Sequence, residues 1–160
     1  MTPGDRTGVS ERPRPDHGYG GGVSGESDLR KLLSGMRPEL NDGLYVFCTI
    51  PGDTDPEALA GLTPVASVLE PEGLTLVLSQ EDADEAGLPY TYTAGWITLR
   101  VHSSLDAVGL TAAFATELAA HGLSCNVIAG YHHDHLFVDA ARAAEAVAVL
   151  EALADRSAQD

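Results

Sequence analysis

Between Tyr131 and Leu136 the chain reads Tyr-His-His-Asp-His-Leu, so His132, His133, Asp134 and His135 place three of its six histidines and a carboxylate in four successive positions. Residues of these types could hold a metal, pair as a base with its orienter, or form the turn of a hairpin. Zinc needs three or four ligands converging at about 2.0–2.1 Å per nitrogen, and a structural site normally draws them from two separated pairs. Here there is one cluster. His133 and His135 share a strand face only if one strand runs through both. A nucleophile for a His-Asp pair is also missing. The chain has no Gly-x-Ser-x-Gly elbow, and Cys48 and Cys125 sit in apolar runs, where a thiol behaves as a small hydrophobe. The stretch is therefore expected to be a hairpin turning at His133-Asp134, structural or facing a ligand, with no metal and no cofactor.

A second stretch offers different chemistry. Asp106-Ala107-Val108-Gly109-Leu110 runs into a helical stripe of Leu110, Ala113, Phe114 and Leu118 that Gly122 ends. At a helix start several backbone N–H groups are unpaired and the dipole is positive, so peptide groups alone can hold a carboxylate. Gly109 would let such a ligand come close. The alternative is that Asp106 caps the helix and Gly109 relieves a tight turn.

These stretches must be positioned by the elements around them. Residues 1–26 are dominated by Gly, Pro, Ser and charge and have too little apolar surface to offset the entropy of ordering, so a disordered tail is expected. Ser27 is the expected cap of an amphipathic helix carrying Leu29, Leu32, Leu33 and Met36 up to the Arg37-Pro38 break. Residues 44–50 read as a buried strand, and residues 55–61 as a helical turn with Pro56 at its start and Gly61 at its end. Residues 64–70 and 74–79 form a hairpin around Pro71-Glu72-Gly73, followed by a short acidic helix over 80–87. This acidic segment lacks the spacing and glycine of a calcium loop.

From Trp96 to His102 apolar Ile97, Leu99 and Val101 alternate with Trp96, Thr98, Arg100 and His102, giving one apolar and one mixed face. The mixed face, with His135, is either solvated or meets another lobe or chain. Residues 123–131 and 135–138 supply two more strands, and Asp139 caps a last helix whose face is Ala143, Ala146, Val147, Leu150 and Leu153. The order from Trp96 onward is β-α-β-β-α, one strand short of a split β-α-β unit. An open sheet edge invites aggregation, so residues 44–50 are expected to pair there.

Composition narrows the partners. Twenty-four acids against nine bases give a formal charge of −15, a field that repels nucleic acid and anionic lipid surfaces. No apolar run approaches the roughly 18 residues of a membrane span, and the N-terminus lacks the apolar stretch of a secretory signal. A cytoplasmic setting is expected, with no nucleic-acid and no membrane partner.

Taken in order, Asp106-Ala107-Val108-Gly109-Leu110, then His121-Gly122-Leu123 into Cys125-Asn126-Val127-Ile128, then Phe137-Val138-Asp139 before an alanine-rich helix, resemble the ACT domain. That small regulatory fold binds amino acids in enzymes such as aspartate kinase. With its Tyr-His-His-Asp-His hairpin, the whole chain resembles a bacterial family of small stand-alone proteins with two ACT-like lobes. The N-terminal lobe has no Asp-x-x-Gly after its first strand. The resemblance implies an α+β, ferredoxin-like β-α-β-β-α-β fold in two lobes, residues 27–95 and 96–155, with a shared or interleaved strand and tails at 1–26 and 156–160. It implies a non-catalytic sensor that binds an amino acid or similar small carboxylate through Leu105, Asp106, Ala107, Val108, Gly109, Leu110, Asn126, Ile128, His132 and His133. A homodimer and a metabolic enzyme partner are implied with it. The rival is a dimerisation or enzyme-docking module without a ligand, and a metal-dependent hydrolase using the histidine hairpin comes third.

Overall fold

The computed structural model describes residues 26–159 apart from Asp55, Ser104 and Asp106. The expected tail over 1–26 lies outside these residues except for Glu26, as does Asp106 of the signature loop. Among the described residues four α-helices, α1 (Leu29–Gly35), α2 (Gln80–Glu85), α3 (Leu110–Ala120) and α4 (Ala143–Gln159), accompany seven strands. The strands are β1 (Pro38–Leu40), β2 (Tyr45–Ile50), β3 (Ala66–Glu70), β4 (Gly73–Ser79), β5 (Thr93–Leu99), β6 (Asn126–Ala129) and β7 (Asp134–Asp139). One antiparallel sheet has the order β3-β4-β2-β5-β7-β6, with β1 beside β5. Matching β2, β4 and β3 to β5, β7 and β6 makes that order the same from either edge, so the chain holds two ferredoxin-like α+β halves joined along β2 and β5.

Strand alternation sorts the side chains to two faces. Val46, Cys48, Ile50, Leu76 and Leu78 form an N-terminal core with Ala83 of α2. Ile97, Leu99, Leu136 and Val138 form a larger core with Phe114 and Leu118 of α3 and Ala146 and Leu150 of α4. The opposite face gathers Tyr45, Phe47, Trp96 and Phe137 around Val77 and Ala94, and no helix residue among those described joins that cluster. Rings cover one another there: Tyr45 meets Trp96 edge-on at 5.1 Å between centroids, and Phe47 meets Phe137 at 5.4 Å.

α1 is capped by Asp28, whose carboxylate accepts the Lys31 N–H at 3.2 Å, rather than by Ser27. Its buried Leu32, Leu33 and Met36 pack in the C-terminal core. The missing strand of the C-terminal half comes mainly from β1, with Pro38 to Leu40 opposite Leu99 to Ile97. The expectation that residues 44–50 would pair with the C-terminal half's sheet holds in part. Only Tyr45 and Val46 reach β5, while all six residues of β2 pair with β4. Gly95 fixes how closely α4 can lie on the sheet, because a Cβ there would sit 2.5 Å from that of Ala143. α4 continues through the residues expected to be a tail, and Arg156 bonds Glu117 of α3 at 2.7 Å. No helix among the described residues is long and apolar enough to cross a membrane.

Candidate functional site

Among the described residues α3 starts without a side-chain cap. Gly109 occupies the cap position with φ 103° and ψ −20°, a left-handed conformation that favours glycine; the expected cap, Asp106, lies outside the described residues. The first helical bond runs from the Ala113 N–H to the Gly109 carbonyl at 2.9 Å. The N–H groups of Leu110, Thr111 and Ala112 therefore have no acceptor within the helix. The glycine's open side faces Leu29 of α1, whose side chain lies 3.0 Å from where a Cβ would stand. Its role is to let the chain turn and α1 approach, so the expectation that it clears space for a ligand is not what the packing reflects.

A cavity of about 80 Å³ opens against this helix start. The loop and helix supply Ser103, Leu105, Ala107, Leu110 and Thr111, and the β6-β7 hairpin supplies Ala129 and Asp134. The loop is held because Glu26 bonds the His102 carbonyl at 2.9 Å and Arg100 bonds the Arg37 carbonyl at 2.7 Å, both through backbone N–H groups.

The hairpin turns over Gly130 to His133, with the Gly130 N–H donating to the His133 carbonyl at 2.9 Å. The turn expected at His133-Asp134 is thus shifted back. Asp134 becomes the first residue of β7, paired with Ala129 on one side and Leu99 on the other. It shares its face with Leu136 and Val138, the face that meets the helices. Its side chain is buried, 8% exposed. Burial pushes the Asp134 carboxyl up from its ordinary value, and the charges of His135 and His133 pull partly the other way.

The histidines divide between surroundings. His133 Nδ1 lies 3.3 Å from the Val101 carbonyl, so that nitrogen carries the proton. His132 is exposed, with its ring 5.7 Å from that of His102 and 4.9 Å from that of Tyr131. His135 points to the opposite sheet face, where its Nδ1 accepts the Trp96 indole N–H at 3.1 Å and lies 3.3 Å from the Thr98 hydroxyl. An indole can only donate, which fixes the proton of neutral His135 on Nε2. Burial, with His133 and Arg100 nearby, lowers its pKa from 6.5. Arg100 itself pairs with Glu39 at 2.5 Å. Among the described residues no three His, Cys, Asp or Glu side chains are grouped as metal ligands.

Of the residues singled out from sequence, Leu105, Ala107 and Leu110 line the cavity, Val108 is 84% exposed, and His132 and His133 belong to the turn beside it. Asn126 and Ile128 need correcting. Strand alternation turns them to the aromatic face, where Asn126 Nδ2 donates to the Phe137 carbonyl at 3.4 Å and Ile128 packs on that cluster. Sequence reasoning missed Ser103, Thr111, Ala129 and above all Asp134. The signal for Asp134 was its spacing of two from Leu136 and four from Val138.

Comparison with known proteins gives two family matches, both to the ACT domain, over residues 24–95 and 91–152. Among solved structures, VC0802 from Vibrio cholerae, a protein of unknown function described as a possible transport protein, is 52% identical. The match covers 80% of this chain and 97% of that one, with a TM-score of 0.71. Atu0741 from Agrobacterium tumefaciens is similar at 15% identity and a TM-score of 0.57, covering 74% of this chain and 89% of that one. The regulatory subunit of aspartate kinase from Thermus flavus is similar at 13% identity and a TM-score of 0.57, covering 73% and 96%. At such identities the last two likenesses concern the fold. Among curated proteins there is no match.

Proposed function

The chain belongs to the ACT-domain family, with two such domains in tandem over residues 24–152, and from that premise we propose that it is a small-molecule sensor without catalytic activity of its own. Its ligand is an amino acid or a similar small carboxylate. The observation that carries this reading is the cavity that Ser103, Leu105, Ala107, Leu110 and Thr111 line together with Asp134, at the start of α3, where no side chain among the described residues caps the helix. The N–H groups of Leu110 and Thr111, which have no acceptor within the helix, hold the carboxylate, with the helix dipole behind them. A cavity of about 80 Å³ encloses only the polar head of such a ligand, and the rest lies at the protein surface. There Leu105 and Val108 stand 69% and 84% exposed, an apolar rim for the ligand's side chain or for a second copy of the chain in a homodimer. The same rim is the observation that favours the rival reading, a docking module for a metabolic enzyme.

A thermal-shift screen of the twenty amino acids separates the two readings. A ligand at 100 times its dissociation constant adds about 2.7 kcal/mol, and about 2–8 °C corresponds to each kcal/mol in domains of this size range. Thr111→Phe is the control variant. Thr111 is exposed in the first turn of α3, Phe and Thr have similar helix propensity, and the ring would occupy the cavity mouth. The expected result is binding in the native protein and its loss in Thr111→Phe at an unchanged melting temperature. Unchanged binding in that variant would place the ligand elsewhere, and a protein that answers to no amino acid or small carboxylate would be the docking module.

A further inference from the structure

Between Arg37 and Arg100 the chain has eleven acids and no Lys, Arg or His, so the N-terminal half carries charge of one sign. This half also ends the sheet. Among the described residues β3 pairs with β4 alone, which leaves alternate N–H and C=O groups along its outer side without a strand partner. Edge strands are ordinarily blunted by a lysine, an internal proline or a covering element. The stretch Ala66–Glu70 contains neither Lys nor Pro, and its side chains are bare, with Val68 50% and Leu69 84% exposed. The opposite edge, β6, shows Asn126 and Ala129 to solvent but exposes no large apolar side chain. Strand alternation gives β3 two different faces. Ser67 and Leu69 share the face of the core residue Leu76, and Leu69 borders a hollow of about 270 Å³ with Pro51, Leu59 and Leu74. Val68 and Glu70 lie on the other face with Ala66.

We infer that β3 is a docking edge for a separate protein, which adds one extended basic segment there as a further strand. The backbone of that segment completes the outer ladder, and its side chains supply the selectivity. Alternate apolar residues settle beside Leu69 at the hollow. The lysine or arginine stems between them lie along Val68, with their charges toward Glu70. Charge selects this occupant. A second copy of a chain of formal charge −15 would set one acidic half against another, whereas a basic segment is drawn to the whole half. The edge belongs to the half without the α3 cavity, and docking there requires no ligand in that cavity.

The probe is the fluorescent peptide Lys-Val-Lys-Val-Lys-Val-Lys, titrated with the full chain and followed by anisotropy. Two peptides accompany it: Lys-Pro-Lys-Pro-Lys-Pro-Lys, of equal charge but without an N–H at alternate positions, and Glu-Val-Glu-Val-Glu-Val-Glu. The expected result is saturable binding of the first, with both others roughly 10-fold weaker or more. Leu69→Lys changes an exposed side chain and should weaken the first peptide by a similar factor at an unchanged melting temperature. Equal binding of the proline peptide would show attraction by charge with no strand added. Unchanged binding to Leu69→Lys would put the peptide away from β3. Either result overturns the inference, as does the absence of binding. Sedimentation equilibrium tests the chain itself as occupant: a dimer that Leu69→Lys dissociates would make a second copy the partner. A peptide that binds only once Arg6→Gln, Arg12→Gln and Arg14→Gln are introduced together would make the chain's own first residues the occupant. Both outcomes likewise overturn the assignment to a separate protein. The peptide series needs no variant, so it decides the matter even should Leu69→Lys fold poorly.

Discussion

In the C-terminal half an eleven-residue α3 and a seventeen-residue α4 cover the sheet, whereas the N-terminal half has a four-residue 3-10 turn, Pro56–Leu59, and the six-residue α2 in the matching places. The hairpins match as well: Glu70 pairs with Gly73 where Ala129 pairs with Asp134. At the same location the N-terminal half has a larger cavity, about 270 Å³, between Pro51, Thr54, Leu59 and the Glu70–Leu74 hairpin. Gly73 stands there in the place of the buried aspartate. The acids nearby, Glu70 and Glu72, are exposed, and Glu70 already accepts the Thr75 hydroxyl. The same strand order thus places a helix start beside a carboxylate on the inner sheet face in the C-terminal half only. The larger hollow of the N-terminal half has neither feature.

That asymmetry can be tested first through stability. Leu32→Ala should cost about 2–5 kcal/mol, the usual range for a fully buried leucine, although Leu32 belongs by sequence to the N-terminal half and by packing to the C-terminal core. Urea titration should show one lowered midpoint for probes in α3 and α4. If only probes in β3 and β4 respond, the assignment of α1 to that core is wrong. Gly95→Ala should follow at about 1–3 kcal/mol, since the new methyl meets Ala143 at 2.5 Å. Ala143→Gly in the same chain should recover part of the loss, and an additive double variant would show that the contact is not the cause.

Acid should reveal the next difference. The depressed pKa of His135 in the folded protein means that, as pH falls below 6.5, the unfolded chain takes up its proton first. Stability present above that value is then lost as pH falls through the folded-state pKa. Protonation also turns the acceptor of the Trp96 bond into a donor. His135→Gln should flatten this part of the pH–stability curve, with Trp96 fluorescence following it. Asp134 has the opposite sign. Its raised carboxyl contributes stability below its unfolded value, lost as pH rises through the folded one, so at neutral pH Asp134→Asn should stabilise by on the order of 1 kcal/mol. Glu72→Gln in the other half should change melting by less than about 0.5 kcal/mol, and an equal gain in both variants would remove the contrast between the two hairpins.

What could be read from sequence followed the length of each pattern. β2 to β7 and α3 and α4 repeat their apolar period often enough to be seen, and their motifs placed the signature loop correctly at the start of α3. β1 is three residues long and begins with proline, too short to show any alternation, so its pairing with β5 was invisible. The apolar stripe of α1 showed that it must pack but could not show against which half. At the site, placing the hairpin turn at His133-Asp134 instead of Gly130 to His133 hid Asp134. Asn126 and Ile128 lie on the sheet face opposite the cavity that Ala129 lines, because neighbouring strand residues point oppositely.

The docking of α1 on α4 also has a consequence for synthesis. Leu32, Leu33 and Met36 leave the ribosome before the residues that bury them, more than a hundred positions later in α4. At ordinary elongation rates that delay is on the order of ten seconds. The N-terminal half, whose core draws on residues 46 to 90, can collapse during that interval, while the first helix keeps an apolar stripe in water. α4 therefore closes this core, and truncation within α4 would leave α1 without its packing partner.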